Sequence, residues 1–315
     1  MEIEARFQKF IEKVLNPSDE EKQRIKSKLR KLENMMINNI GLPIGETIHA
    51  GSFAKGTMLK GRNEADVVFV LSSKYSDKSI DEVKRDLEIF FNNISNVTNL
   101  SLKPRAISFV YDGISIDLLI AKQYSSPSSM SGMSEKQQEE HYGYSSKYHV
   151  DLVKTKSTKY KDLVKLMKYW IKQYQNDFLC SSFLIELITA ALFPEIENLS
   201  FPDAFKKLME FIVDSQLNIF ITFDYEIEYE PNVKKVEHGY IADPGNPENN
   251  ILDSVTNKEQ LIAYAIESLE LAEKEQWEKI FGDAFPNEEG VIKKQSKEKH
   301  RKSQHPHDAK NRRYA

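Results

Sequence analysis

The sequence predicts an α+β protein, in which a mixed sheet in the N-terminal half is followed by a mostly helical C-terminal half. Two observations support this class. Between residues 46 and 121, short apolar runs rich in Val, Ile and Phe are separated by turn residues, which is typical of strands. From residue 147 onward, apolar residues recur at helical spacing in several successive segments. We therefore expect two domains, over residues 1–155 and 156–290, followed by a tail over 291–315.

The N-terminal half is predicted to open with helices. Phe7, Phe10 and Ile11 recur at helical spacing, and Ser18 with Glu21 is a capping-box pattern that begins a second helix. Asp112-Gly113 lies between two apolar runs and predicts a hairpin. The other expected elements are strands over 46–50, 65–72, 106–111 and 114–121, and a helix over 79–93.

The C-terminal half is predicted to be mostly helical. Short strands are expected near 218–222 and 239–242, and the serine-rich stretch over 125–134 is expected to be a mobile loop. The expected helices cover 147–155, 158–174, 179–193, 201–213 and 257–280.

Composition places the chain among ordinary soluble proteins, with 40% hydrophobic and 29% charged residues in 315. Cys180 is the single cysteine, so no internal disulfide can form, which fits a reducing compartment. No apolar run approaches the roughly 18 residues of a membrane span, and the N-terminus lacks a signal-peptide pattern. A cytoplasmic location without a membrane partner is expected.

The last 25 residues, 291–315, are strongly basic. They hold nine Lys or Arg and two acids, which gives 9 − 2 = +7, so the rest of the chain carries −4 − 7 = −11. This tail has too few apolar residues for a core and is predicted to be disordered. It is either a solubilising tail or a segment for nuclear import or nucleic-acid binding, and a nuclear location is therefore the alternative.

Three acids have the pattern of a metal site. Glu64 and Asp66 are two residues apart at the start of a predicted strand, so their side chains share one face. Asp117 is a lone acid inside the apolar run "ISIDLLIA", where an unpaired charge is expensive to bury. If the two strands are neighbours, the carboxylates converge, and hard oxygen ligands select Mg²⁺ or Mn²⁺. The alternatives are a solvated acid pair and a structural Asp.

A small-residue turn precedes these acids and can hold phosphates. Gly51 permits a tight turn with exposed backbone N–H groups, and Ser52 adds a hydroxyl donor. Lys55 and Thr57 are close enough in sequence to add a positive charge and a second hydroxyl. Taken alone, a Gly-Ser turn is ordinary loop chemistry. The order of strand, Gly-Ser turn, acid-x-acid and later lone acid predicts a two-metal site for phosphoryl transfer.

These stretches resemble the polymerase-β-type nucleotidyltransferases, and within them the 2′-5′-oligoadenylate synthetases. The resemblance covers about residues 49 to 250. Two of its stretches, "KGTMLKGR" before the acids and "PRAISFV" before the strand with Asp117, are similar to the synthetases in particular and not only to the broader scaffold. The matching stretches are "GSFAKGTMLKGRNEADVVFVLS", "PRAISFV" with "ISIDLLIA", "HVDLVKTKSTKYKDLVKLMKYW" with "FLIELITAALF", and "ADPGNPENN". The resemblance implies a polymerase-β-like catalytic domain over 1–155 and a synthetase-like helical domain over 156–290.

The resemblance also implies roles for particular residues. Two Mg²⁺ ions would be held by Glu64, Asp66 and Asp117. The implied nucleotide-binding residues are Gly51, Ser52, Lys55, Lys165, Lys168, Ser182 and Phe183. For the two later lysines the alternative is a solvated face that Lys161 and Lys172 extend, and Phe183 has the alternative of plain core. Asp243 and His149 are predicted to be structural, and His149 has no acid or histidine at ligand spacing.

The implied activity is template-independent nucleotidyl transfer from ATP, giving 2′-5′-linked oligoadenylate or a related short second messenger. Synthesis of a cyclic oligonucleotide and addition of nucleotides to RNA 3′ ends are the alternatives within the same scaffold. A catalytically inactive RNA-binding scaffold is a further alternative from another class. Other nucleoside triphosphates, a double-stranded RNA activator and nucleic acid bound by the tail are the remaining expected partners.

Overall fold

A computed structural model describes residues 1–39, 44–71, 79–103, 106–122, 146–174, 180–223 and 239–293. The predicted loop over 125–134 and nearly all of the basic tail lie outside these ranges. The α-helices are α1 Ile3–Phe10, α2 Asp19–Asn39, α3 Gly51–Lys55, α4 Ile80–Asn92, α5 over 146–154, α6 Thr158–Lys172, α7 Ser182–Ile196, α8 Phe201–Ser215, α9 Lys258–Glu273 and α10 Trp277–Phe281. The strands are β1 Ile44–Ala50, β2 Glu64–Leu71, β3 Val97–Leu102, β4 Ala106–Tyr111, β5 Ile114–Lys122, β6 Phe220–Ile221, β7 Tyr240–Asp243 and β8 Asn246–Asn250.

The main sheet has five strands in the order β1-β2-β5-β4-β3. β2 and β5 are parallel, and the other neighbours are antiparallel, so the sheet is mixed, as the sequence predicts. The β4–β5 hairpin turns at Asp112 and Gly113, whose φ angles of 50° and 77° suit the left-handed turn that closes a two-residue hairpin. The predicted α+β class is confirmed.

The core is divided between the sheet and the helical half. One face of the sheet packs against α2 and α4 through residues such as Leu29, Leu87 and Phe69. The C-terminal helices share a larger cluster, which Phe7 and Phe10 of α1 also join. Burial of these apolar faces is the main stabilising term for both parts. The first helix therefore packs with the helical half of the chain rather than with the sheet.

Serine caps fix where the helices that surround the site begin. Ser157 and Ser181 each accept a hydrogen bond from the backbone N–H three residues later, at the first turns of α6 and α7. Ser79 and Glu82 form a complete capping box at α4. These local signals explain why the predicted helix starts agree with the observed ones to within about three residues.

Three elements differ from the sequence prediction. A single helix was expected over 257–280, but the structure has two, α9 and α10. The helix is interrupted at Glu275, whose φ of 54° lies outside the helical region. β3 was not expected, since this edge strand is mostly exposed and lacks an alternating apolar pattern. β8 lies within the stretch expected to be a turn after β7. No helix among the described residues is long and apolar enough to span a membrane.

Candidate active site

The three predicted acids lie on one face of the main sheet. Asp66 on β2 and Asp117 on β5 are direct partners in the parallel register, and Glu64 precedes Asp66 by two residues. The pKa of Asp66 is raised, first by burial, then by the negative charge of Asp117, with a smaller contribution from Glu64. Negative charge is therefore concentrated at this point of the sheet, and a cation would stabilise it.

Two of these carboxylates contact basic side chains. Glu64 Oε1 accepts a hydrogen bond from Arg62 at 2.9 Å. Asp117 lies 3.2 Å from the Lys103 ammonium and accepts a hydrogen bond from the Ser108 hydroxyl. With the side chains in these positions, no three acid, histidine or cysteine groups within the described ranges stand close enough together to hold a metal ion.

The donor set nevertheless fits a divalent cation. All three groups are carboxylates and their oxygens are hard ligands. The pKa of Asp66 is raised first by burial and then by the charge of Asp117, so a cation beside Asp66 would stabilise its ionised form. Glu64 and Asp117 are both partly exposed, at 55% and 43% of their side chains, so each can turn from its basic partner toward Asp66. The residues that would hold Mg²⁺ are therefore Glu64, Asp66 and Asp117, and this assignment stays a prediction.

Gly51 joins β1 to α3 directly beside Asp66. Its φ is +65°, and a Cβ atom at this position would lie 1.6 Å from Asp66 Oδ2, so no larger residue fits without moving the carboxylate. Ser52 follows in the first turn of α3, and Lys55 ends this helix. The predicted Gly-Ser turn is thus packed against the acids, and a side chain at Gly51 would displace one of them.

A buried ionic cluster lies behind this turn. Glu186 on α7 is 1% exposed and accepts hydrogen bonds from Lys55, from Lys168 at 2.5 Å and from the Thr57 hydroxyl at 2.8 Å. Burial alone would raise the pKa of Glu186, but the Lys168 and Lys55 ammonium groups lower it to about 2. We call Lys55, Lys168 and Glu186 the inner cation group. It has two positive charges and one negative charge, which leaves a net charge of +1.

An open cavity of about 460 Å³ joins the acids to this cluster. It lies between the sheet and helices α6 and α7, and its wall carries seven basic or hydroxyl side chains that can contact phosphates. The lining residues are Ser52, Lys55, Thr57, Leu59, Arg62, Glu64, Asp66, Lys168, Ile171, Lys172, Cys180, Ser182, Phe183 and Glu186. Seven of the residues predicted from the sequence are among them.

Three predicted residues do not line the cavity. Two of them lie next to a lining residue, and the third lies apart from it. Gly51 and Asp117 are adjacent to Asp66 without lining the cavity. The Lys165 ammonium instead contacts Asn16 at 2.6 Å and Asp162 at 3.0 Å. The structure does not bring Lys165 to the cavity wall, and its binding role stays a prediction.

Phe183 presents an aromatic face at the side of the cavity. The Lys55 ammonium lies 5.1 Å from its ring centroid, and the His149 ring lies 4.4 Å away. His149 has no acid or histidine at ligand spacing in the sequence, but in the fold its Nε2 is 2.5 Å from Asp243 Oδ1. Asp243 also accepts a hydrogen bond from the backbone N–H of Gly245 at 2.8 Å. This partner is distant in sequence, and the structural role predicted for His149 stays a prediction.

Sequence reasoning missed three charged residues of the cavity. Glu186 is a lone acid in the apolar run "FLIELITAALF", the same signal that pointed to Asp117. Lys172 was considered only as part of an alternative solvated face, although it lines the cavity and burial and the nearby Arg62 charge lower its pKa to about 8. Arg62 belongs to the quoted "GRNEAD" stretch, and no role was predicted for it.

Solved structures with the same fold define the class of the protein. The E. coli MS115-1 CdnC structure with ATP aligns with a TM-score of 0.70, at 21% identity, over 90% of this chain and 98% of that one. The CdnC:HORMA-deltaN complex from the same strain gives 0.69 at 22% identity. The chain has an α+β nucleotidyltransferase fold.

Family models match most of the chain in two consecutive parts. Residues 1–98 match the Second Messenger Oligonucleotide or Dinucleotide Synthetase domain. Residues 122–282 match domain 2, the C-terminus, of 2′-5′-oligoadenylate synthetase 1, and these 161 of the 315 residues are just over half of the chain. The protein belongs to the 2′-5′-oligoadenylate synthetase-like family of nucleotidyltransferases.

Two curated relatives differ in how much of their length is matched. The cyclic AMP-AMP-AMP synthase of E. coli strain MS 115-1 is 24% identical over 297 residues, which cover 85% of this chain and 92% of that protein. The mouse 2′-5′-oligoadenylate synthase 2 is 23% identical over 295 residues, which cover 77% of this chain and 40% of that protein. This chain is thus similar to nearly all of the first relative and to less than half of the second.

Proposed function

We propose that this protein joins nucleotides from ATP into a short second-messenger oligonucleotide, with a 2′-5′ linkage in the linear case. The observation that carries the proposal is the pairing of Asp66 with Asp117 in the sheet, together with the close approach of Gly51 to Asp66, beside a cavity lined by Ser52 and Lys168. Acids and phosphate-binding groups on one cavity are what nucleotidyl transfer requires. The similarity to a CdnC structure with ATP supports ATP as the donor.

We assign phosphate binding to the residues of the turn and of α6. Ser52 and Lys168 bind the donor triphosphate, and Lys55 adds positive charge beside them. Phe183 offers its ring to a base, since aromatic faces stack on bases with little sequence preference. Because the inner cation group is buried and hydrogen-bonded, its lysines are already oriented before the nucleotide arrives, which lowers the entropic cost of binding.

The transfer itself needs an attacking hydroxyl and a leaving pyrophosphate. The ribose hydroxyl oxygen of the acceptor forms a bond to the α-phosphorus, its proton passes to Asp117, and the bond to the pyrophosphate oxygen breaks. Lys168 and Ser52 neutralise and orient the departing pyrophosphate. Two Mg²⁺ ions held by Glu64, Asp66 and Asp117 would supply charge neutralisation and activation of the hydroxyl when bound.

A cyclic product is the second candidate. The cyclic AMP-AMP-AMP synthase is matched over 92% of its length, against 40% for the mouse oligoadenylate synthase. Both products require the same cavity, donor and acids, so the chain's site residues keep their roles in either case. The difference lies in whether the last hydroxyl attacks a new ATP or the 5′ end of the growing product.

The experiment is incubation of the full chain with Mg²⁺ and α-labelled ATP, with and without double-stranded RNA. Nucleases specific for 2′-5′ and 3′-5′ linkages, together with phosphatase, separate linear from cyclic products. Asp117→Asn is expected to abolish the signal, and Asp112→Asn, in the exposed turn of the same hairpin, is the matched control. Equal activity of the two variants, or no pyrophosphate released by the unaltered protein, would overturn the proposal.

A further inference from the structure

A second group of charged side chains lies at the mouth of the cavity, apart from the inner cation group. Arg62 and Lys172 both line the cavity, and Glu64 is hydrogen-bonded to Arg62. We call Arg62, Lys172 and Glu64 the outer cation group. Like the inner group it has two positive charges and one negative charge, but its Arg62 and Glu64 side chains are 44% and 55% exposed.

Lys172 faces the cavity without a bonded partner. Within the described ranges of the chain, its ammonium makes no hydrogen bond and no ion pair. Burial, and then the positive charge of Arg62, lower the pKa of Lys172 to about 8. The negative charge of Glu64 raises this pKa, but by less than the other two effects lower it. A half-buried ammonium in this position is poorly stabilised by the protein alone. An anion in the cavity would supply the missing charge.

The position of Lys172 on its helix separates it from the inner group. Lys168 and Lys172 are four residues apart on α6, so they lie on one face, about 6 Å apart along the helix axis. Lys168 is committed to Glu186 and Thr57, whereas Lys172 is not. Two phosphate groups can therefore be bound on this wall, one near each lysine.

The Arg62 guanidinium retains capacity for a second acceptor. It carries five N–H donors, and its contact with Glu64 engages one nitrogen atom, Nη1. A planar guanidinium binds phosphate through paired N–H groups, and an ammonium adds a strong point charge. The combination of one guanidinium and one free ammonium is selective for a phosphate group over a neutral ligand.

We propose that Arg62 and Lys172 form a second phosphate subsite, which binds a phosphate group of a nucleotide substrate at the mouth of the cavity. The inference rests on the proposed function, because it takes nucleotides as the ligands of the cavity. The phosphate has two sources. It is either the terminal phosphate of the donor or the 5′-phosphate of the acceptor, and the chemistry that recognises both is the same.

The test compares ligands that differ by one phosphate in the full-length protein with Mg²⁺. The first arm measures the affinities for α,β-methylene-ATP and α,β-methylene-ADP by calorimetry. The second arm measures those for AMP and adenosine in protein saturated with α,β-methylene-ATP. In one of the two arms, Lys172→Met is expected to weaken binding of the ligand with the additional phosphate, α,β-methylene-ATP or AMP, about tenfold, since a hydrogen bond to a charged group is lost. Binding of the ligand without that phosphate, α,β-methylene-ADP or adenosine, is expected to be unchanged.

Two variants control this measurement. Lys154→Met removes one positive charge from the exposed face of α5, away from the cavity. It is expected to leave the ratio of the two affinities in each arm unchanged. Lys172→Arg keeps the charge and is expected to retain most of the affinity. Thermal unfolding of each variant shows that it is folded.

The outcomes separate the two proposals. Loss in the first arm assigns the subsite to the donor, and loss in the second arm assigns it to the acceptor. Unchanged ratios in both arms for folded Lys172→Met would overturn the subsite while leaving the proposed function standing. Failure of the unaltered protein to bind α,β-methylene-ATP would overturn the proposed function, and the subsite with it.

Discussion

The inner and outer cation groups have the same charges but opposite surroundings. In the inner group, Glu186 holds Lys55 and Lys168 in a buried network with Thr57. In the outer group, Glu64 reaches one cation and remains more than half exposed. The inner group is therefore held in place by hydrogen bonds before any ligand binds, while the exposed side chains of the outer group can still change position. Loss of Glu186 from the inner group should therefore lower the stability of the fold, and changes to Arg62 or Lys172 of the outer group should mainly alter ligand binding.

The largest effect is expected for Glu186→Gln, which breaks the inner group. Two ammonium groups would remain buried without their carboxylate, and breaking a buried ion pair in this way costs about 3–5 kcal/mol. Urea unfolding should show this loss, against a small change for Glu197→Gln at the exposed C-terminal end of α7. Equal stability of the two variants would show that the inner group is not part of the folding core.

Gly51→Ala tests how α3 delivers Lys55 to the inner group. The new Cβ would meet Asp66 Oδ2, so the turn or the carboxylate must move, and product formation is expected to fall about 100-fold, as for misplacement of catalytic groups. Gly113→Ala is the control, because its φ is also positive but nothing lies within 4 Å of its Cβ position. If both variants lose activity equally, the effect is backbone strain and not the clash.

The outer group should respond to pH between 7 and 9, because it contains Lys172. Lys172, with a pKa of about 8, loses its charge as the pH rises from 7 to 9, while Arg62 keeps its own. The other charges that act on Lys172 are Glu64 and Lys168. The affinity for the ligand that occupies the outer group should therefore fall by up to about tenfold over this range. This fall in affinity should be absent in Lys172→Arg. If the affinity of that variant still falls between pH 7 and 9, another group causes the pH dependence.

The smallest effect is expected for Thr57→Val. This change removes the hydroxyl that donates to Glu186 and accepts from Lys168, which should cost about 1 kcal/mol in the free energy of unfolding. Thr189→Val is the matched control, because the buried Thr189 hydroxyl donates a hydrogen bond to the carbonyl of Ile185 in its own helix. Similar losses in the two variants would show that the inner network is no stronger than a local bond.

The sequence was most informative where a residue violates its surroundings locally. Asp117 could be found because an acid inside an apolar strand needs a partner, and Gly51 because it precedes the acids. Glu186 gave the same signal, but an acid in a helix can also lie on a solvated face. Its partner Lys55 lies 131 residues away in the chain. Only the packed structure shows which face of α7 is covered.

Other features depended on the fold in the same way. The sequence shows no acid or histidine at ligand spacing from His149, because its partner Asp243 is 94 residues further on. Lys168 and Lys172 share a helical face by their spacing, yet the spacing does not say whether that face meets water or a cavity. β3 is an exposed edge strand whose sequence has no alternating pattern, so its pairing with β4 could not be anticipated.

The packing of α1 has a practical consequence for engineered fragments. Phe7 contacts Trp277 and Phe285 with ring centroids 4.8 and 5.0 Å apart, and Arg6 Nε donates to the carbonyl of Pro286 at 2.8 Å. A fragment cut at residue 156 would leave its aromatic core open to water and prone to aggregate. Expressing the helical half by itself therefore requires grafting the first fifteen or so residues back onto it.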